Sequence, residues 1–215
     1  MKPILFNTEM VKAILEGRKT VTRRVVKLPK RVQEQENGLY TLFTEGTVYE
    51  NFCIDQIVDY ISPYQVNDIL YVRETWHRYI KRVGKGESCR LQEFYGYKAS
   101  IANSEDANTP WKPSIHMPKE AARLFLRVTD IRVERLQDMT LTDFLKEGIQ
   151  VRPEAFNDPE NAYYTAKEYF RSLWNSTLGR KDTPEWYAYN WSGNPYVWVI
   201  EFEVIDRQQL GGISN

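Results

Sequence analysis

The chain has 215 residues, and 29 Lys+Arg balance 29 Asp+Glu, so its formal net charge is zero. Apolar residues make up 42%, with 6 Trp, 14 Tyr and 9 Phe, which supplies a sizeable core and excludes general disorder. Broad nucleic-acid coating through bulk positive charge is excluded as well, so any anion binding has to come from a local patch.

Cys53 and Cys89 are the only cysteines, and His77 and His116 the only histidines. That inventory argues against a zinc site of the Cys/His kind and for a reducing compartment. The opening residues MKPILFNTEM lack the apolar run of a signal peptide, and no stretch approaches the ~18 apolar residues of a membrane span. The expectation is a soluble, cytoplasmic protein with no membrane contact. It reads as a single domain over 1–215, with no internal repeat and no linker.

Pro3 to Phe6 reads as a short strand. Asn7 or Thr8 can cap a helix that carries Glu9 in its first turn and Met10, Val11, Ile14 and Leu15 at helical spacing, with Gly17 as its stop. Lys19 to Val26 is β-rich. Residues 27–60 are polar at first (KLPKRVQEQENG). Leu39–Val48 and Asn51–Tyr60 then suggest two short strands, with a turn near Glu45-Gly46. After Pro63 and an Asn67-Asp68 turn, Ile69 to Trp76 is a strand that places Arg73 and Glu74 on opposite faces.

Arg78 to Ser88 reads as a basic loop, Glu93 to Ala99 as a strand, and Asn103 to Pro118 as a long ordered connection. Ala122 to Leu136 alternates, with a change of parity near Thr129-Asp130 that predicts a bulge or corner. Thr140 and Asp143 form a capping-box pair for a short helix that Gly148 ends. Asn161 to Leu178 is an amphipathic helix with Tyr163, Ala166, Phe170, Leu173, Trp174 and Leu178 on its apolar stripe. A loop with Trp186 and Trp191 leads to a final strand, Tyr196 to Ile205, and a polar tail from Arg207.

The stretch GRKTVTRR (Gly17–Arg24) is the main candidate site. Arg18, Lys19, Arg23 and Arg24 crowd together with Thr20 and Thr22 and no carboxylate, with Lys27 just beyond. Arg fits phosphate bidentately, and a helix-to-strand junction exposes backbone donors. A solvated cationic strand edge would look the same in sequence. Among such neighbours a buried Lys19 would have a lowered pKa and could act as a base or nucleophile. In an extended strand, however, Lys19 and Thr22 point to opposite faces.

Glu147, in the last helical turn where the dipole disfavours a carboxylate, and Glu74, beside Trp76 at a strand end, are the candidate acids. Ser114 and His116 in the SIHMP loop permit a Ser–His reading, although spacing alone is poor evidence for one. Trp76, Trp111, Trp186 and Trp191 could stack on a base, or simply fill the core.

ILEGRKTVTRR (Ile14–Arg24), NDILYVRETW (Asn67–Trp76), RLQDMTLTDFLKEGI (Arg135–Ile149) and VWVIEFEV (Val197–Val204), in that order, resemble the ASCH domain family of the PUA-like superfamily. The WxPSIHMP loop (Trp111–Pro118) is similar to the larger phage and prophage members. Segments 27–60 and 78–105 match least and read as insertions. The resemblance implies an α+β fold, a small mixed β-barrel with flanking helices and a cleft beside the GRKT turn.

It also implies RNA or a modified nucleoside as partner, with DNA as a further candidate, and no cofactor or metal. A short family member hydrolyses N4-acetylcytidine with a Lys, a Thr and a Glu, which correspond to Lys19, Thr22 and Glu147. Arg18, Arg23, Arg24, Glu74, Trp76, Ser114 and His116 would line the ligand site. Three functions stay open: an RNA- or modified-nucleoside-binding protein, a metal-independent amidohydrolase of N4-acylated cytidine-type nucleosides, and a phage accessory protein that binds a host protein without chemistry.

Overall fold

The computed structural model describes residues 1–44, 47–85, 89–100 and 110–210. In chain order the elements are β1 (Lys2–Leu5), α1 (Thr8–Leu15), β2 (Val21–Val25), β3 (Val32–Glu34), β4 (Tyr40–Thr44), β5 (Thr47–Phe52), α2 (Ile54–Ile61), β6 (Ile69–Arg73), β7 (Trp76–Val83), β8 (Arg90–Tyr97), β9 (Phe125–Arg135), α3 (Leu141–Lys146), α4 (Pro159–Thr177), α5 (Pro184–Tyr189), β10 (Tyr196–Ile205) and α6 (Arg207–Leu210). The class is α+β, with helices flanking sheets. Among the described residues the sheets are open, and none closes into the small barrel implied by the resemblance. The chain divides into two compact units. One is Met1–Gly17, Asp68–Arg127 and Glu203–Asn215; the other is Arg18–Asn67 and Val128–Phe202.

In the first unit β1 runs parallel to β6, and β6 is antiparallel to the start of β9. Asn7 caps α1 by accepting from the Met10 N–H at 2.8 Å, and Gly17 (φ +72°) ends it in the left-handed region. Val11, Ala13 and Ile14 are buried. The stretch expected as a basic loop, Arg78 to Ser88, is instead largely strand: β7 and β8 form a hairpin in register from Trp76↔Tyr97 to Val83↔Arg90. Its Lys, Arg and Gly content is that of a loop, but cross-strand pairs decide the matter. Tyr79 stacks on Phe94 and Arg78 pairs with Glu93 at 3.1 Å. Gly96 is required opposite His77, because a Cβ there would lie 2.1 Å from the imidazole Nε2.

In the second unit β2 and β10 pair antiparallel, with Val25 opposite Val197, Arg23 opposite Val199 and Val21 opposite Glu201. The face carrying Val21, Val197 and Val199 packs against Phe144 of α3 and against Ala166, Phe170 and Trp174 of α4. Full burial of a side chain such as Phe170 stabilises by roughly 1.5–3 kcal/mol. α4 keeps the expected stripe but begins two residues early, where Asp158 accepts from the Asn161 N–H.

A second cluster, with Val32, Tyr40, Leu42, Ile54 and Ile57, is built on the β3–β4–β5 sheet and α2. Here the sequence reading needs correction. Asn51–Tyr60 was expected as a strand, but most of it is α2, because Ile54, Ile57, Val58 and Ile61 recur at helical spacing and the Gln56 side chain accepts from the Cys53 N–H at 2.8 Å. The expected turn at Glu45-Gly46 lies outside the described residues, between the paired ends Thr44 and Thr47. A third strand, β3, arises from the polar KLPKRVQEQENG stretch, and α5 from the loop before Trp191. β9 runs as one strand through exposed Thr129 and Asp130, where a bulge or corner was expected.

Candidate functional site

The second unit gathers part of the GRKTVTRR stretch around the end of α3. Thr140 accepts from the Asp143 N–H, and the Asp143 carboxylate takes the Thr140 N–H at 2.9 Å and the Thr140 hydroxyl at 2.6 Å. Glu147 follows as the C-cap, and Gly148 takes φ +93°. The chain leaving Gly17 pairs with this helix end. Lys19 forms an antiparallel bridge with Glu147, the Thr20 N–H donates to the Lys146 carbonyl at 2.9 Å, and Arg18 Nη1 donates to the Gly148 carbonyl at 2.6 Å.

Lys19 is the centre of the arrangement. Its Nζ donates to Glu147 Oε2 at 2.5 Å, to the Val21 carbonyl at 2.8 Å and to the Glu147 carbonyl at 3.0 Å. Arg23 Nη1 reaches the other carboxylate oxygen, Glu147 Oε1, at 3.3 Å. Arg23 Nη2 faces Asp143 Oδ1 at 3.1 Å and Glu134 Oε2 at 3.3 Å. The side chains of Lys19 and Arg23 are fully buried, and that of Glu147 is 4% exposed. Arg23 Nε, also buried, has no hydrogen-bond partner among the described residues. Burial lowers the pKa of Lys19 against the pull of Glu147, and the charges of Arg24 and Arg23 act in the same direction as burial. Burial also lowers half-buried Arg24, with Glu147 and Tyr64 opposing.

Two expectations about this stretch change. Arg23 was a candidate phosphate ligand, but its guanidinium is enclosed by three carboxylates. Thr22 is buried opposite Ile200, on the β2 face away from Arg23, as strand alternation requires. The structure thus joins Lys19, Arg23 and Glu147, and sets Thr22 on the other side of the same strand. The partners Asp143 and Glu134 were missed as site residues. Asp143 was legible only as a capping residue, and nothing in the sequence marks Glu134.

Glu74, Trp76, Ser114 and His116 belong to the first unit. Glu74, 1% exposed, receives a two-pronged contact from Arg123, Nε–Oε1 at 2.8 Å and Nη2–Oε2 at 3.0 Å. The Arg123 guanidinium lies over the Tyr97 ring at 4.1 Å. Trp76 is a core residue with Met117 and Phe125. Ser114 and His116 share one 3-10 turn, Ser114–His116, and His116 is exposed. Side chains two apart in such a turn point roughly 120° apart, which opposes a Ser–His pair. The loop is held through Met117, whose carbonyl accepts from Arg73 Nε at 2.9 Å.

Among the described residues no cluster of His, Cys, Asp and Glu could hold a metal ion, and no helix is long and apolar enough to cross a membrane. No protein-family model matches the chain, and no curated protein matches it. Among solved structures, the chain is similar to protein EF3133 from Enterococcus faecalis V583, of the family model DUF984. The identity is 9% over 95% of this chain and 73% of that one, with a TM-score of 0.36, a level that assigns neither fold nor function.

Proposed function

We propose that this chain is an ASCH-like protein that hydrolyses the N4-acyl amide of an acylated cytidine-type nucleoside. The observation that carries the reading is the buried Lys19–Glu147 contact at 2.5 Å, with the Lys19 pKa lowered by burial. A lysine that loses its proton more easily than usual can serve as a base in its neutral form. The resemblance of GRKTVTRR and KEGI to the ASCH motifs supports the same assignment, and with it a PUA-like barrel core.

In this scheme neutral Lys19 removes the proton from an attacking water, since Thr22 lies on the other face of β2. The oxygen bonds to the acyl carbon, and the resulting oxyanion is stabilised by Arg24, since Arg23 is already matched by carboxylates. Collapse breaks the carbon–nitrogen bond, and a proton passing through Glu147 reaches the leaving amine. Water attack gives the carboxylic acid directly.

The test is release of cytidine from N4-acetylcytidine, followed chromatographically, with thermal melting as a folding control. Turnover should rise with pH through one ionisation lying below the ordinary lysine value of 10.5. Lys19→Ala should lose about 10²–10⁴-fold, the usual contribution of general-base catalysis. Thr22→Ala, on the other face of β2, should retain turnover. A folded wild-type protein without turnover, or a fully active Lys19→Ala, would remove the proposal. The binding-only reading, for RNA or a modified nucleoside, would then stand in its place.

A further inference from the structure

Two cavities of the second unit lie apart from the Lys19 cluster and meet at one side chain, Tyr189. The first, about 340 Å³, is lined by Glu34, Tyr40, Ile54, Arg135, Tyr189 and Tyr196. The Arg135 guanidinium lies over the Tyr196 ring at 3.7 Å, and Arg135 Nη1 is fixed by the Asn194 carbonyl at 3.1 Å. Glu34 accepts a hydrogen bond from the buried Tyr40 hydroxyl, whose pKa burial and Glu34 push up to about 12. A carboxylate has about four acceptor positions, so this bond leaves acceptor capacity on Glu34. The cavity therefore combines a planar cationic and aromatic wall with a carboxylate acceptor.

The second cavity, about 390 Å³, is lined by Lys27, Arg180, Trp186, Tyr189 and one carboxylate, Glu185. Lys27 Nζ lies 5.8 Å from the centre of the Tyr189 ring. Among the described residues neither Lys27 nor Arg180 enters an ion pair, and both are exposed. Among the described residues, buried Trp186 Nε1 has no hydrogen-bond partner. Two cations against one carboxylate suit an anion.

We infer that the two cavities form one nucleotide subsite, with an amino-bearing base in the Glu34–Arg135–Tyr196 cavity and its phosphate against Lys27 and Arg180 across Tyr189. Bases stack on aromatic rings and on Arg guanidinium planes, and a carboxylate accepts from the exocyclic amine of cytosine. Uracil offers a single N–H between two carbonyl oxygens, which repel Glu34. A free nucleotide and a nucleotide within a single strand share this chemistry. The inference goes beyond the hydrolytic reading and is independent of it, because no group at Lys19 takes part.

The test is fluorescence anisotropy with labelled oligocytidylate and oligouridylate of equal length at low salt, with CMP as competitor. Oligocytidylate should bind about tenfold or more tightly than oligouridylate, a ratio within the discrimination of one good base contact. Glu34→Gln should erase that preference, while thermal melting remains that of a folded protein. Lys27→Ala with Arg180→Ala should weaken both oligomers alike and flatten the salt dependence. The expected change in slope of log K against log salt is about 1.4, from two phosphate contacts at about 0.7 each.

Competition by CMP would identify a free-nucleotide site, whereas binding of the oligomer without competition by CMP would identify a strand-binding site. No binding of either oligomer, equal binding of the two by the wild type, or binding untouched by all these substitutions would overturn the assignment. Loss of N4-acetylcytidine hydrolysis would not bear on it.

Discussion

Glu147→Gln keeps the shape of the side chain and removes the carboxylate that Lys19 Nζ contacts at 2.5 Å. Arg23 loses one of three carboxylates and keeps Asp143 and Glu134. Lys19 keeps the neutral carbonyls of Val21 and Glu147. Removing one partner of a buried ion pair costs about 3–5 kcal/mol, a large share of the about 5–15 kcal/mol that stabilises a typical protein. For a chain of this length that corresponds to a melting point lower by about 6–20 °C.

Urea unfolding of the wild type, Glu147→Gln, Lys19→Met and the double variant measures both the cost and the coupling. The double variant should lose less than the sum of the two single losses, with a coupling of about 2 kcal/mol, because it leaves no unmatched charge at Lys19. A Glu147→Gln loss of about 1 kcal/mol, the worth of one neutral hydrogen bond, would refute the reasoning. Lys19 would then be uncharged in the folded protein.

Two further outcomes follow from the same helix end. Burial raises the Asp143 carboxyl pKa, but the Thr140 hydrogen bonds and Arg23 outweigh it and hold the group below its ordinary value of 3.8. The unfolded chain thus binds more protons between the two values. The contribution is fully present above about pH 4 and is lost as pH falls through the folded value. The stability gap between wild type and Asp143→Asn should therefore narrow in acid titrations below pH 4; a gap independent of pH would contradict it. Gly148→Ala places a Cβ at φ +93° and should cost about 1–2 kcal/mol in urea unfolding. An unchanged midpoint would show that the turn after α3 relaxes without strain.

Where residues contact their own neighbours along the chain, the amino-acid order was a sufficient guide. The Asn7 cap, the Thr140–Asp143 capping box, the stops at Gly17 and Gly148, the stripe of α4 and the bounds of β10 are local consequences of hydrogen bonding and periodicity. The candidates Lys19 and Glu147 could be named because a like-charged neighbourhood and a carboxylate at the wrong helix pole are local anomalies too. The Arg78–Val83 strand and the α2 helix were not read correctly. A partner strand outweighed basic composition in one, and burial against β4 together with capping by Gln56 outweighed β propensity in the other.

Only the tertiary structure decided what the cations do. The sequence shows Arg23 in a patch without carboxylates, and folding brings Glu147, Asp143 and Glu134 to it from more than a hundred residues away. Burial then sets the proton affinity of Lys19, a quantity that depends on which groups exclude water and so has no local signature. The meeting of Glu34, Arg135 and Tyr189 around adjoining cavities is of the same kind. Local order set the caps, the glycine stops and the apolar stripe of α4, whereas charge pairing, desolvation and pocket shape came from segments that meet only when the chain has folded.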